Sequence, residues 1–132
     1  MSYSELTRRY FEHPACAGAA SGPDWFRGAA GSPEQGTWVQ FDLQVPSADG
    51  GGSVRSVRFL AFACPHGVAV CQWVAEQAIG RALQVRLPEN VQALRARFEV
   101  PVEKLGRLLI VEDAWAAAAG AAILQRNASR NA

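Results

Sequence analysis

The sequence predicts an α+β domain, a small antiparallel sheet of two or three strands with helices packed on one face, and three observations carry that expectation. Residues 37–45 alternate, with Val39, Phe41, Leu43 and Val45 set against Gln40, Asp42 and Gln44, the period of a strand with one buried face. A Val- and Phe-rich run over 53–62 follows the Gly-rich turn 46–52 and reads as the antiparallel partner of the first strand. Stretches with helical spacing then follow one another to the end of the chain, so strands and helices segregate instead of alternating.

In chain order, residues 3–11 place Tyr3, Leu6 and Tyr10 on one helical stripe, with Ser2 or Ser4 as the cap and Pro14 as the stop. Residues 14–36 turn to Gly, Ala, Pro and Ser, which predicts a long loop with at most one short strand near 25–30; Trp25 there is a candidate contact residue. After the hairpin, Pro65 breaks the apolar run, and Val68, Cys71, Val74, Ala75, Ala78 and Ile79 follow 3.6-residue spacing up to Gly80. A short helix is expected over 88–97, started by Pro88, then a connector over 98–105. A long alanine-rich helix over 108–125 is anchored by Trp115, and a polar tail over 126–132 is expected to fray.

The totals fit one domain over 1–125. The chain has 132 residues, 49% of them hydrophobic, and a net charge of +1, which gives no electrostatic reason to expect nucleic acid or a membrane surface. The first thirteen residues lack a signal-peptide pattern, and the longest apolar run, 114–124, falls short of the roughly 20 residues that a bilayer needs. A cytoplasmic protein is expected, in which three cysteines act as thiols or ligands and not as a disulfide frame.

Chemistry concentrates at the strand-to-helix junction Ala63-Cys64-Pro65-His66. A thiol there meets the free N–H groups and positive dipole of a helix start, which favour thiolate; the alternative is a small buried residue. Cys71 falls on the apolar stripe and reads as core, although Cys64, His66 and Cys71 together offer three possible ligands to one metal if the helix starts late. Without that metal, His66 is a solvated or capping histidine. Cys16, in the Gly/Ala loop, reads as exposed and incidental. No nucleophilic triad, carboxylate pair or phosphate loop stands out.

The chain resembles the U-type iron-sulfur cluster assembly scaffold family, that of the NifU N-terminal domain and IscU. Tyr3-Ser-Glu-Leu with Phe11-Glu-His-Pro14 resembles the family's opening helix. Gly31-Ser-Pro-Glu-Gln-Gly-Thr37 stands where the family has Gly-x-Pro-x-Cys-Gly-Asp, and Arg58-Phe-Leu-Ala-Phe-Ala-Cys64 resembles its Phe-x-x-x-Gly-Cys. Val100-Pro-Val-Glu-Lys-Leu105, with Glu112-Asp-Ala114, resembles Leu-Pro-Pro-x-Lys-x-His-Cys and its trailing acidic step.

The resemblance implies an IscU/NifU-N-like fold, related to the SufE sulfur-acceptor fold, and a site for an iron-sulfur cluster or iron. It also implies the ligand positions: Gln35, Cys64 and Arg107 stand at the family's three cysteines, Thr37 at its Asp and Gly106 at its His. Only Cys64 is a thiol, and an amide and a guanidinium cannot replace the other two. Arg107 would lower the pKa of a neighbouring Cys64, or pair with Glu34 or Glu103 to close the site. Three functions follow. The chain is an iron-sulfur assembly protein with a degenerate ligand set; or a sulfur-transfer protein carrying persulfide on Cys64; or a non-catalytic module that binds desulfurase or scaffold. The partner implied is a cysteine desulfurase, with a chaperone docking at residues 100–104.

Overall fold

The computed structural model describes residues 3–47 and 52–130, so Ser2 as a cap and the centre of the Gly-rich turn lie outside the described residues. Its elements are α1 (Glu5–Glu12), β1 (Trp25–Ser32), β2 (Thr37–Gln44), β3 (Ser56–Phe62), α2 (Pro65–Ala78), α3 (Val91–Arg97) and α4 (Leu105–Arg130), with short 3-10 turns at Pro33–Gln35 and Val102–Lys104. The three strands form one antiparallel sheet in the order β1-β2-β3. The expected α+β class and one-sided helical layer are what the chain adopts.

Helix α1 starts at Ser4, whose Oγ accepts from the Thr7 N–H at 3.1 Å. The buried Thr7 hydroxyl donates to the Phe98 carbonyl at 2.9 Å, which ties α1 to the end of α3. The Gly/Ala-rich segment after α1 is more structured than a loop. Phe59 N–H donates to the Cys16 carbonyl and Gly18 N–H to the Phe59 carbonyl, so residues 16–18 cover the outer edge of β3. The segment then passes β2, where Ala20 N–H donates to Asp42 Oδ2 at 2.9 Å, and reaches β1.

That crossing corrects the expectation of a half-buried β2. Val39, Phe41 and Leu43 face the helices at 0% exposure, yet Asp42 on the opposite face is only 1% exposed. The Asp42 carboxylate survives there because Arg27 clamps it, with Nε 2.8 Å from Oδ1 and Nη2 3.2 Å from Oδ2. β1 is likewise longer than a fragment near residues 25–30, pairing with β2 along its full length.

The alanine run of α4 has a packing reason. A Cβ built on Gly28 would stand 2.1 Å from the Ala118 backbone nitrogen, so β1 and α4 approach as closely as their small residues allow. Ala114, Ala118, Ala119 and Ala122 are buried along that contact. Trp115 fills the wider space beside it, edge-on to Phe41 at 5.3 Å, and donates its Nε1–H to the Gln84 carbonyl at 3.0 Å. By length and composition 102–128 is apolar enough to cross a membrane; its buried alanines and Trp115 pack in the core, while Leu109 and Leu124 are exposed.

Three boundaries shift. Asn90, and not Pro88, caps α3, its Oδ1 accepting from Ala93 N–H at 2.8 Å. α4 begins at Leu105 instead of Leu108, directly after the 3-10 turn, and it continues as helix to Arg130 where a polar tail was expected from Arg126. The early start decides the site, because it puts Lys104 and Arg107 one turn apart at the mouth of α4.

Candidate thiolate site

β3 runs directly into α2. Cys64 is the N-cap residue in extended conformation, and Pro65 takes the first helical position, where its missing N–H costs nothing. The Cys64 side chain closes no strict capping hydrogen bond, but the N–H groups of Gly67 and His66 and the guanidinium of Arg107 face its sulfur, with the ammonium of Lys104 nearby. Burial of this half-buried thiol works against ionisation. The two N–H groups and two cations outweigh it, and the pKa lies below the ordinary thiol value.

His66 corrects the solvated or capping histidine. It is 3% exposed, edge-on to the Tyr3 ring at 4.8 Å, with Nδ1 3.4 Å from Lys104 Nζ. Burial first, then Lys104 and Arg107, hold its pKa below the usual imidazole value, so the ring is neutral at pH 7. An ammonium has no acceptor to offer, so Nδ1 accepts a hydrogen bond from Lys104 Nζ and the ring's own hydrogen sits on Nε2. Lys104 also lies 5.7 Å from the Tyr3 ring centroid.

The start of β2 shares this end of the sheet, since Trp38 pairs with Phe62, two residues before Cys64, and Thr37 pairs with Ser32. The Thr37 hydroxyl is fully buried and, among the described residues, is the buried side-chain polar atom left without a hydrogen-bond partner. Gln35 is exposed in the 3-10 turn, where its N–H donates to Ser32 Oγ at 3.2 Å. Gly106 faces open space.

Other expected residues separate from the site. Cys71 is fully buried in the core, and burial pushes its thiol far above the ordinary value, so it joins no ligand set with Cys64. Cys16 is neither exposed nor incidental: its N–H donates to Gln72 Oε1 at 2.8 Å, which helps seat the crossing segment on α2. Arg107 makes no ion pair with Glu34 or Glu103; among the described residues the ion pairs are Arg8 with Glu12, Arg27 with Asp42 and Arg97 with Glu89. Trp25 does line a cleft, of about 570 Å³ with Phe26, Pro46 and Arg126, but at the opposite end of β2.

Sequence reasoning missed Lys104, Tyr3 and the Asp42–Arg27 clamp. The three-residue spacing of Lys104 and Arg107 was the available signal for the first. No group of three or more His, Cys, Asp or Glu side chains is placed to hold a metal ion among the described residues. One thiolate beside two cations does not fit a three-thiolate cluster, whose iron would meet the guanidinium of Arg107.

The sequence profile described as the NifU-like N terminal domain matches residues 2–127. Among solved structures, the chain is similar to a putative iron-sulfur cluster assembly scaffold protein for the SUF system from Fervidobacterium islandicum, at 17% identity and TM-score 0.66, over 89% of this chain and 96% of that one. It is also similar to the N-terminal part of a nitrogen-fixing NifU-like protein from Brucella abortus, at 18% identity and TM-score 0.67, over 96% and 94% of the two chains. No curated protein matches.

Proposed function

The chain belongs to the family of NifU-like N-terminal domains, and on that premise we propose that it serves iron-sulfur cluster assembly as a single-cysteine sulfur carrier acting through Cys64. The observation that carries this reading is the setting of the thiol: Arg107, Lys104 and two backbone N–H groups face it, and among the described residues no group of three or more His, Cys, Asp or Glu is placed to hold a metal there. Such surroundings favour an anionic nucleophile and disfavour a metal. The Cys64 thiolate attacks the outer sulfur of a donor persulfide, a new sulfur-sulfur bond forms, and the donor's inner sulfur leaves as thiolate with the bonding pair. The resulting persulfide on Cys64 is itself an anion, held by the same groups.

The donor in this reading is a cysteine desulfurase in the cytosol. Residues 100–104 form the companion surface, with Val102 at 66% exposure beside the site, where a chaperone would dock. The cluster belongs to the pathway as cargo, assembled on other thiolates.

Anaerobic mixing with a cysteine desulfurase, cysteine and ferrous iron tests the proposal through intact mass and visible absorbance. The expected result is a gain of one sulfur on Cys64, abolished in Cys64→Ser, without charge-transfer bands. Stable bands that depend on Cys64 would overturn it in favour of a cluster scaffold with a degenerate ligand set. Neither signal would leave a module that binds desulfurase or scaffold without chemistry.

A further inference from the structure

Positive charge at the Cys64 end is not balanced. Arg107 and Lys104 both face the thiol, and among the described residues neither lies within ion-pair distance of a carboxylate. Glu103 and Glu34, the expected partners of Arg107, are exposed, and His66 is buried against Lys104 with no negative charge to offer. A single thiolate offsets one cation. The N–H groups of His66 and Gly67 already face the thiolate, so it is the other cation that is left to attract a further anion.

An independent mark points the same way. Thr37 Oγ1 is buried with no partner, a costly state for a hydroxyl unless a ligand completes it. By the pleat of β2 its side chain shares the helix-covered face with Val39, and by register its strand position lies next to the β3 residues that lead into Cys64. An incoming oxygen acceptor at this end would satisfy that hydroxyl.

We propose that this end of the domain is also a receptor site for a small dianionic sulfane-sulfur donor of the thiosulfate class, whose sulfonate head is held by Arg107 and Lys104 while Cys64 takes its terminal sulfur. The inference rests on Cys64 being the sulfur nucleophile argued above, and it adds a donor that needs no protein partner. A sulfonate presents three oxygens to a guanidinium fork and an ammonium, and its negative charge offsets the positive charge that the thiolate leaves. Inorganic sulfate and phosphate match the head but carry no transferable sulfur, so they act as competitors. In the reaction the Cys64 sulfur bonds to the terminal sulfur of thiosulfate, the sulfur-sulfur bond of thiosulfate breaks, and sulfite departs with the electron pair. Sulfur moves between two nucleophiles, so the step needs no external oxidant or reductant.

The reduced chain is incubated with thiosulfate alone, and in parallel with a desulfurase and cysteine; sulfite release and the mass of the Cys64 peptide are read in both. One sulfite per chain, one sulfur gained on Cys64 and competition by sulfate are expected. Lys104→Gln should slow the thiosulfate reaction by about tenfold, the scale of one lost charge-assisted hydrogen bond, and by more than it slows alkylation with neutral iodoacetamide, which reads the thiolate alone. Circular dichroism melting establishes that the variant is folded. Loading by desulfurase without any sulfite from thiosulfate would overturn this inference and leave the proposed carrier role intact. So would a thiosulfate rate that Lys104→Gln lowers no further than alkylation. Loading by thiosulfate alone would sustain the receptor site and overturn the desulfurase route, and loading by neither would overturn both.

Discussion

Two thiols sit seven residues apart at the start and in the middle of α2, and the same helix gives them opposite chemistry. Cys64 caps the helix beside Arg107, Lys104 and two free N–H groups, and its pKa is lowered although half the group is buried. Cys71 is fully buried, its own backbone N–H is used within the helix, and burial alone drives its pKa up. Residue type and element are held constant, so the difference isolates what activates a thiol: unspent donors and cations at a helix entrance, against a hydrocarbon wall two turns later. Cys71 behaves as a small hydrophobe that happens to contain sulfur.

The largest expected effect follows from that contrast. In the native protein, iodoacetamide should modify Cys64 at least about a hundredfold faster than Cys71, because Cys71 reacts only when the core opens. Mass spectrometry of the alkylated peptides over time measures both rates; comparable rates would break the comparison. A smaller effect appears in stability. Cys71→Ser should cost about 1–3 kcal/mol by placing a poorly satisfied hydroxyl in the core, whereas Cys64→Ser should stay within about 0.5 kcal/mol, as expected for an N-cap that accepts serine. Denaturant midpoints for the two variants check this directly.

Much of this contrast was legible in the sequence. Pro65 after an apolar strand run marks the helix entrance, and the spacing of Val68, Cys71, Val74 and Ala75 marks the buried stripe, so the two cysteines separate before any coordinates exist. The resemblance drew Arg107 to the site. For Lys104 the sequence offered only its three-residue spacing from Arg107, and for Tyr3 nothing, since their approach to the site depends on α4 starting at Leu105 and on where α1 docks against α2 and α3, both tertiary outcomes. Asp42 misled for a related reason: alternation reports which face is apolar, not whether a Gly/Ala segment with no strand pattern of its own will cross the other face and bury it. His66 lacked any local signal for burial, because an edge-on tyrosine 63 positions earlier is what covers it.

Arg107 supplies the finest test of the comparison, since removing it moves Cys64 toward the state of Cys71 without touching the core. Arg107→Gln should slow Cys64 alkylation at pH 7 several-fold, an effect of about 1 kcal/mol, and shift the pH profile of that reaction upward, with Arg107→Lys recovering part of the loss. The sign in stability follows from linkage. A thiol whose native pKa is depressed contributes stability that is present above its unfolded value, about 8.5, and lost as pH falls through the native value; this variant should therefore lose more stability at pH 9 than at pH 6. His66 works in the same direction at lower pH. Its native pKa is depressed, so the unfolded chain binds the extra proton and stability falls as pH drops below about 6.5. Because Arg107 is one cause of that depression, Arg107→Gln should soften the acid loss while it weakens the thiolate. Denaturant titrations at pH 5, 6, 7.5 and 9 read both slopes, and a variant that parallels the wild type at every pH would show that Arg107 acts on neither group.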